Sequence, residues 1–109
     1  MRQVTKKTAQ AMRDGINTVS GNTRVHSNGN VMDLHGNTIA IYNRVDGLLT
    51  LRDCNWQTVT TKERLNGILD TLNTGKYITQ ENFNWYIKDR ANDAIKDSWD
   101  GFIVVKVQK

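Results

Sequence analysis

The chain has no proline, one cysteine and no long apolar run among its 109 residues. The single cysteine, Cys54, excludes an internal disulfide and is typical of proteins in a reducing cytoplasm. No window approaches the roughly 20 apolar residues that a membrane-spanning helix needs. The charged N-terminus is not followed by the apolar segment of a secretory signal. We therefore expect a single cytoplasmic domain over residues 1–109.

The sequence also lacks the motifs of common enzymes and metal sites. No phosphate-binding loop, dinucleotide fingerprint or zinc-ligand spacing occurs. Cys54, His35 and Asp53 can be written as a nucleophile, a base and an orienting acid, but nothing in the sequence brings them together. The aspartates of residues 89–100 lack the glycine and terminal glutamate of a calcium loop, so they predict a solvated face. We predict no catalytic, cofactor or metal site.

Positive charge is concentrated at the N-terminus. Residues 1–14 contain Arg2, Lys6, Lys7 and Arg13 against Asp14, which is four basic groups against one acidic group. This segment predicts a short helix over residues 5–13, with Thr5 as its cap and Gly15 as its end. On a helical wheel Arg2, Lys6 and Arg13 form a basic stripe opposite the apolar residues, and we predict that they bind a partner.

Apolar and polar residues alternate between residues 22 and 53, as they do in strands with one buried face. Asn28-Gly29 and Asp46-Gly47 favour hairpin turns, and Gly36-Asn37 suggests another. These signals predict an antiparallel meander of four strands, which are Asn22–Ser27, Asn30–His35, Thr38–Asn43 and Leu48–Asp53. The alternation assigns Ile39 and Ile41 to the buried side of the third strand.

A two-residue turn at Asn28-Gly29 has a consequence for the two histidines. It places Arg24 opposite Asp33 and His26 opposite Val31. His26 and His35 are then about four residues apart along the strands, or roughly 13 Å at ~3.4 Å per residue. Because zinc–nitrogen bonds are about 2 Å long, the two rings cannot share one zinc ion in this register.

The clearest helix signal is over residues 61–73. Thr60 and Glu63 have the spacing of a capping box. An apolar stripe then follows at helical spacing, formed by Leu65, Ile68, Leu69 and Leu72. We expect this stripe to pack on the sheet, with Trp56 fixing the entry of the helix.

The C-terminal third predicts a hairpin, a polar segment and a last strand. Lys76–Gln80 and Phe83–Lys88 form the hairpin, Asp89–Asp100 holds a helical turn, and Phe102–Val107 is the strand. The predicted fold class is therefore α+β. It consists of an antiparallel sheet of about six or seven strands, the 61–73 helix on one face and a short N-terminal helix.

Aromatic residues supply the remaining candidate binding groups. Alternation places Phe83, Trp85 and Ile87 on the buried side of their strand. Tyr86, flanked by Lys88, faces the other way and can present its ring to a base or a partner, although a plain surface position is the simpler interpretation. Trp99 is either the edge of the core or an interface anchor. The partner-binding candidates are thus Arg2, Lys6, Arg13, Tyr86, Lys88 and Trp99.

Three short motifs lie along the chain: NTxV at 22–25, LHGNxIA at 34–40 and WxTxTTKxRLN at 56–66. Together they resemble a family of small, largely uncharacterised proteins of tailed bacteriophages and their hosts. The TAQA tetrapeptide at 8–11 and the Trp85-Tyr86 pair fit the same family. The resemblance covers most of residues 5–87 and implies a phage setting without an established activity.

That setting suggests a function, because small phage accessory proteins often bind a host factor or a defence system. We predict a non-enzymatic accessory protein in the host bacterial cytoplasm that inhibits or redirects a host or defence protein, such as a CRISPR effector. The alternative is a nucleic-acid-binding protein that uses the basic N-terminal helix. The sequence leaves open whether the protein is a monomer or a homodimer.

Overall fold

The computed structural model describes residues 1–108. Within them the chain forms two helices and nine strands, an α+β fold as the sequence predicts. No helix in this range is long and apolar enough to cross a membrane. In chain order the elements are α1 (Gln3–Asp14), β1 (Thr18–Ser20), β2 (Thr23–His26), β3 (Val31–Leu34), β4 (Asn37–Asn43), β5 (Leu48–Arg52), α2 (Val59–Thr71), β6 (Lys76–Glu81), β7 (Asn84–Asp89), β8 (Asn92–Ser98) and β9 (Phe102–Lys106).

The strands form two antiparallel sheets. The first sheet has the order β1-β2-β3-β4-β5-β9, and the second has the order β6-β7-β8. The chain leaves the first sheet at α2, builds the second sheet and returns through β9, which pairs with β5. The prediction of one sheet with about six or seven strands therefore becomes two sheets, and β1 is an additional strand that the sequence pattern did not indicate.

The predicted register of the first hairpin is confirmed. Arg24 lies opposite Asp33, and His26 lies opposite Val31. Asn28 and Gly29 both have positive φ, at 59° and 81°, as a type I′ turn requires. A Cβ atom at Gly29 would lie 2.5 Å from the Cα atom of Gly15. The turn therefore needs glycine both for its backbone and for its contact with the end of α1.

The N-terminal helix begins earlier than predicted. It starts at Gln3, and its N-cap position is Arg2, whose side chain makes no capping hydrogen bond. The predicted cap, Thr5, is buried inside the helix instead. Gly15 ends the helix in the left-handed conformation with φ 72°, as predicted.

The main helix has its predicted apolar stripe but a different cap. Leu65, Ile68, Leu69 and Leu72 are all buried. The side chain of Thr58 accepts a hydrogen bond from the amide of Thr61 at 3.1 Å, so the helix begins at Val59. The predicted Thr60–Glu63 capping box is wrong, because the Glu63 carboxylate is held instead by groups on α1 and by Arg64.

The helical turn predicted within Asp89–Asp100 is also wrong. Residues 92–98 form β8, which pairs with β7 and is exposed at every position. The spacing of its alanines and aspartates suits a helix, but cross-strand contacts stabilise the strand. The Lys96 ammonium group lies 2.9 Å from Glu81 and 4.4 Å from the centre of the Tyr86 ring.

One core joins the helices to both sheets. Side chains from α1, α2, the first sheet and the second sheet form a single buried cluster. The helices touch closely at Gly67, where any Cβ atom would overlap the methyl group of Thr5. Because the core lies on one side of the first sheet, the other side of that sheet is left uncovered by the helices.

A buried polar group ties α2 to its neighbours. Arg64 is 3% exposed. Its guanidinium donates to Thr23 Oγ1 at 3.0 Å, to Thr5 Oγ1 at 2.6 Å and to Glu63 Oε1 at 2.7 Å. One side chain therefore connects α2 with β2 and α1, and its charge is compensated by Glu63.

Candidate functional site

One side of the first sheet is left uncovered by the core. Successive side chains of a strand point to opposite faces, so the register assigns each residue to one face. We call this side the open face and the opposite side the covered face. The open face carries Val19, Arg24, His26, Val31, Asp33, Thr38, Ile41, Asn43, Leu48, Thr50, Arg52, Phe102, Val104 and Lys106.

The centre of the open face is apolar. Register aligns Val31, Ile41, Thr50 and Val104 in one row across β3, β4, β5 and β9. Ile41 is 41% exposed, Val104 is 50% exposed and Phe102, next to this row, is 60% exposed. Single exposed apolar side chains are ordinary, but a contiguous group of them marks interaction surfaces.

Charge on the open face is mainly positive. The Asp33 carboxylate is satisfied within the sheet, because Thr38 Oγ1 donates to it at 2.8 Å and His26 Nε2 lies 3.0 Å from it. Arg24, although opposite Asp33 in register, forms no ion pair within residues 1–108, and neither does Arg52. Two guanidinium groups are therefore available near the apolar row.

The predicted basic stripe lies on the exposed side of α1. Arg2, Lys6 and Arg13 are all exposed. Arg13 pairs with Asp14 at 2.9 Å, and the backbone amide of Arg2 donates to Glu63 at 3.1 Å. Lys6 extends into solvent from the middle of the helix. The stripe thus exists, and its role in binding stays a prediction.

The predicted aromatic and basic groups of the second sheet, Tyr86 and Lys88, already make contacts within the protein. The Tyr86 ring is covered by Lys96, and Lys88 Nζ lies 3.8 Å from Glu81. These contacts leave Tyr86 half-buried rather than presented to solvent. Phe83, predicted to be in the core, is 90% exposed because it lies in the β6–β7 turn with φ 69°.

Trp99 belongs to the core. Its ring lies 6.1 Å from that of Trp85, and its Nε1 donates to Asp53 Oδ2 at 2.8 Å. The buried carboxylate of Asp53 also accepts from the side chain of Gln57 at 3.0 Å. The core-edge alternative for Trp99 therefore agrees with the structure, and Trp99 fixes the loop between β5 and α2.

A cleft beside that loop was not indicated by the sequence. It has a volume of about 440 Å³ and lies between the β3–β4 turn and the start of α2. Trp56, which we expected to be packed on the sheet, lines the cleft and is 62% exposed. The positive φ values of Cys54 and Asn55, 52° and 63°, turn the chain sharply just before this indole.

His35, Asp53 and Cys54 all line the cleft, but each forms its hydrogen bonds with other residues. Cys54 Sγ donates to the Thr38 carbonyl at 3.0 Å. His35 Nε2 lies 3.2 Å from the side-chain amide of Asn22. None of these bonds links the thiol to the imidazole, as an activated nucleophile requires. In the described part of the chain, no three acidic, histidine or cysteine side chains are grouped to hold a metal ion.

A comparison with models of known protein families identifies the family of this chain. The model of the Kyanoviridae Gp96 protein family matches residues 1–105. The chain belongs to this family. No curated protein and no solved structure matches it significantly.

Membership of the Gp96 family confirms the phage setting that the short motifs implied. The match continues beyond residue 87, where the resemblance ended, and includes β8 and most of β9. Every residue of the open face except Lys106 lies within it. The family match therefore extends over the open face as well as the core.

Proposed function

We propose that this Gp96 family member is a non-enzymatic phage accessory protein that binds a host or defence-system protein through its open face. The observation that carries the proposal is the contrast between the two sides of the first sheet. One side is covered by the core, whereas the other exposes Ile41, Phe102 and Val104, with Thr50 between Ile41 and Val104.

The chemistry of the open face specifies the kind of surface that fits it. Protein interfaces combine an apolar centre with a polar rim, and arginine is enriched in them. Here the row around Ile41 forms the centre, and Arg24 and Arg52 supply cationic groups beside it. The complementary partner surface is apolar with acidic residues around it. A polypeptide supplies that combination, whereas the continuous phosphate backbone of a nucleic acid does not.

The absence of enzymatic activity is part of the proposal. It is supported by the cleft, where His35, Asp53 and Cys54 are each engaged by other groups. A protein that acts only by binding must inhibit or redirect its target by occupying a surface. Within the host bacterial cytoplasm the target class includes nucleic-acid-guided defence complexes such as CRISPR effectors.

The test is affinity capture from infected host lysate, with the parent protein and two variants compared. Ile41→Glu places a carboxylate at the centre of the open face. Val59→Glu is the matched control, because Val59 is exposed at the start of α2 and lies off the sheet. We expect Ile41→Glu to lose the captured protein by about tenfold or more, as central interface positions do. We expect Val59→Glu to retain it.

Two outcomes would contradict the proposal. Equal capture by the parent and by Ile41→Glu would remove the open face from the interaction. Capture that disappears after nuclease treatment would show that nucleic acid mediates the contact. Both variants must first give the circular dichroism spectrum of the parent, so that a loss of binding reports on the surface.

The second candidate is direct nucleic-acid binding through α1. It is favoured by the exposed stripe of Arg2, Lys6 and Arg13. The salt dependence of binding separates the two candidates. Phosphate contacts make affinity fall steeply with salt, whereas an interface with an apolar centre responds weakly. Lys6→Glu combined with Arg13→Glu would abolish binding by this second route and leave the open-face route largely intact.

A further inference from the structure

The four sheet edges of the protein differ in how well they are protected against pairing with another strand. Edges are usually blunted by charges, by shortness or by a covering element. β1 has only three residues, β6 contacts α2, and β8 carries Asp93, Lys96 and Asp97. β9 has five residues, four of them apolar, and β5 is its one neighbour in the sheet. It is therefore the least protected edge.

The direction of the backbone groups of β9 follows from two hydrogen bonds at its ends. The amide of Asp53 donates to the carbonyl of Gly101 at 3.0 Å, and the amide of Val107 donates to the carbonyl of Gly47 at 2.8 Å. Alternate residues of an antiparallel strand bond to the same neighbour. The odd residues of β9 thus face β5, and the amides and carbonyls of Phe102, Val104 and Lys106 face outward.

The side chains of the same three residues all lie on the open face. Phe102 and Val104 are at least half exposed, and Lys106 is exposed. Lys106 Nζ donates to the Asp46 carbonyl of its own chain at 2.5 Å, a surface contact that the ammonium group would exchange for the ring of a second copy. Two copies of β9 placed antiparallel about a twofold axis at Val104 would pair all three outward residues at once. Val104 would face its symmetry mate, and Phe102 would face Lys106 of the second copy. An aromatic ring opposite an ammonium group is a favourable pair.

We propose that β9 pairs with β9 of a second copy of this chain, in the register centred on Val104, to form a symmetric homodimer. The two first sheets then become one continuous sheet, with both open faces on the same side. The strand fits itself because the apolar residue lies at the centre and the aromatic and cationic residues lie at opposite ends. A twofold interface requires this kind of self-complementarity.

Five paired residues form a short interface, so the dimer is expected to dissociate on dilution. Sedimentation equilibrium from about 1 µM to about 1 mM spans the range of weak associations. The parent should shift from the 12.4 kDa mass of one chain towards twice that value. A mass that stays that of one chain over this whole range overturns the proposal. The same result is expected if β9 pairs only with a strand of another protein.

Two substitutions at one exposed position test the register. Phe102→Lys places an ammonium group opposite Lys106 of the second copy, whereas Phe102→Glu places a carboxylate there. At low salt we expect Phe102→Lys to weaken the dimer and Phe102→Glu to retain it. The two symmetry-related contacts together should separate the dissociation constants of the variants by about 2- to 30-fold. Equal weakening by both variants indicates apolar association in another register and overturns the proposal.

Two further measurements test whether the two copies meet at β9. Ile41→Glu, on the open face but separated from β9 by β5, should leave the dissociation constant of the dimer unchanged, since Ile41 pairs with Thr50 and not with β9. Amide hydrogen exchange at Phe102, Val104 and Lys106 should slow as protein concentration rises, while exchange in β1 should not. Protection that appears in β1 or β8 instead contradicts the assignment to β9.

Discussion

The covered face of the first sheet carries Val25, Met32 and Leu49, each 1% exposed or less, whereas the open face carries Ile41 and Phe102, at 41% and 60%. The same strands supply both sets, because alternate side chains point to opposite faces. The covered face also meets a charged group, Arg64, with all its hydrogen bonds inside the protein. The open face leaves Arg24 and Arg52 without an ion pair among residues 1–108. This difference predicts that the covered face determines stability and the open face determines binding.

Arg64→Ala should give the largest loss of stability. It removes the charge that compensates Glu63 and the donors that reach Thr5 and Thr23, so unfolding free energy should fall by about 3–5 kcal/mol. Arg24→Ala is the control on the open face, and its effect should stay within about 0.5 kcal/mol. Urea denaturation of both variants measures the two losses of unfolding free energy. An equal loss for Arg24→Ala and Arg64→Ala would contradict the assignment of stability to the covered face.

Leu69→Ala should be nearly as damaging. Leu69 is 1% exposed in the stripe of α2, and truncation of a core leucine costs about 2–5 kcal/mol. Leu48 is the same residue type on the open face, at 39% exposure, so Leu48→Ala should cost clearly less. If chemical denaturation ranks the two substitutions in the reverse order, the assignment of the faces is incorrect.

The start of α2 allows a sharper comparison between two threonines. The Thr58 side chain accepts from the Thr61 amide, so Thr58→Ala should cost about 1 kcal/mol. Thr60 does not cap the helix, and Thr60→Ala should have almost no effect. Thermal melts of the two variants decide between the observed cap and the Thr60–Glu63 capping box that the sequence suggested.

The smallest expected effect concerns the pH dependence of stability. Burial raises the pKa of Glu63, but hydrogen bonds from Thr5 and the Arg2 amide, together with the charges of Arg64 and Arg2, outweigh it and hold the pKa below its usual range. A carboxylate with a lowered pKa in the folded state stabilises the protein above the unfolded-state pKa of about 4.3. That contribution is lost as the pH falls from about 4.3 through the lower folded-state value.

Glu63→Gln removes this titration. Its unfolding free energy should therefore depend less on pH than that of the parent below about pH 4.3. Identical pH profiles for the parent and the variant, measured by urea denaturation, would show that the contacts between α1 and Glu63 do not depend on its charge.

The sequence predicted those parts of the fold that depend on local rules. Asn28-Gly29 set the register of the first hairpin because both residues tolerate positive φ. Gly15 ended α1 for the same reason, and the apolar stripe of α2 identified its buried side. Contacts between distant segments decided the rest. Glu63 has the spacing of a capping residue, but Arg2 and Thr5, about 60 residues earlier, hold its carboxylate.

Features that depend on the arrangement of the sheets were not predictable from local patterns. The residues of β8 have helical spacing, and only their pairing with β7 makes them a strand. Phe83 alternates with Trp85, yet it falls in the turn and is exposed. The alternation predicted that Ile41 is buried beside Ile39, and this is wrong. A register shift in the pairing of β3 with β4 buries Ile39 and Ala40 together and turns Ile41 to the open face. The exposure of that face also depends on the helices and the second sheet lying on the other side.

The central claim is that the open face binds and does not stabilise, and Ile41→Glu tests it with two measurements on one protein. Its unfolding free energy should stay within about 0.5 kcal/mol of the parent value. Its affinity for the captured partner should fall by about tenfold or more. Unchanged affinity would contradict the claim, and so would a loss of affinity that is explained by an equally large loss of stability.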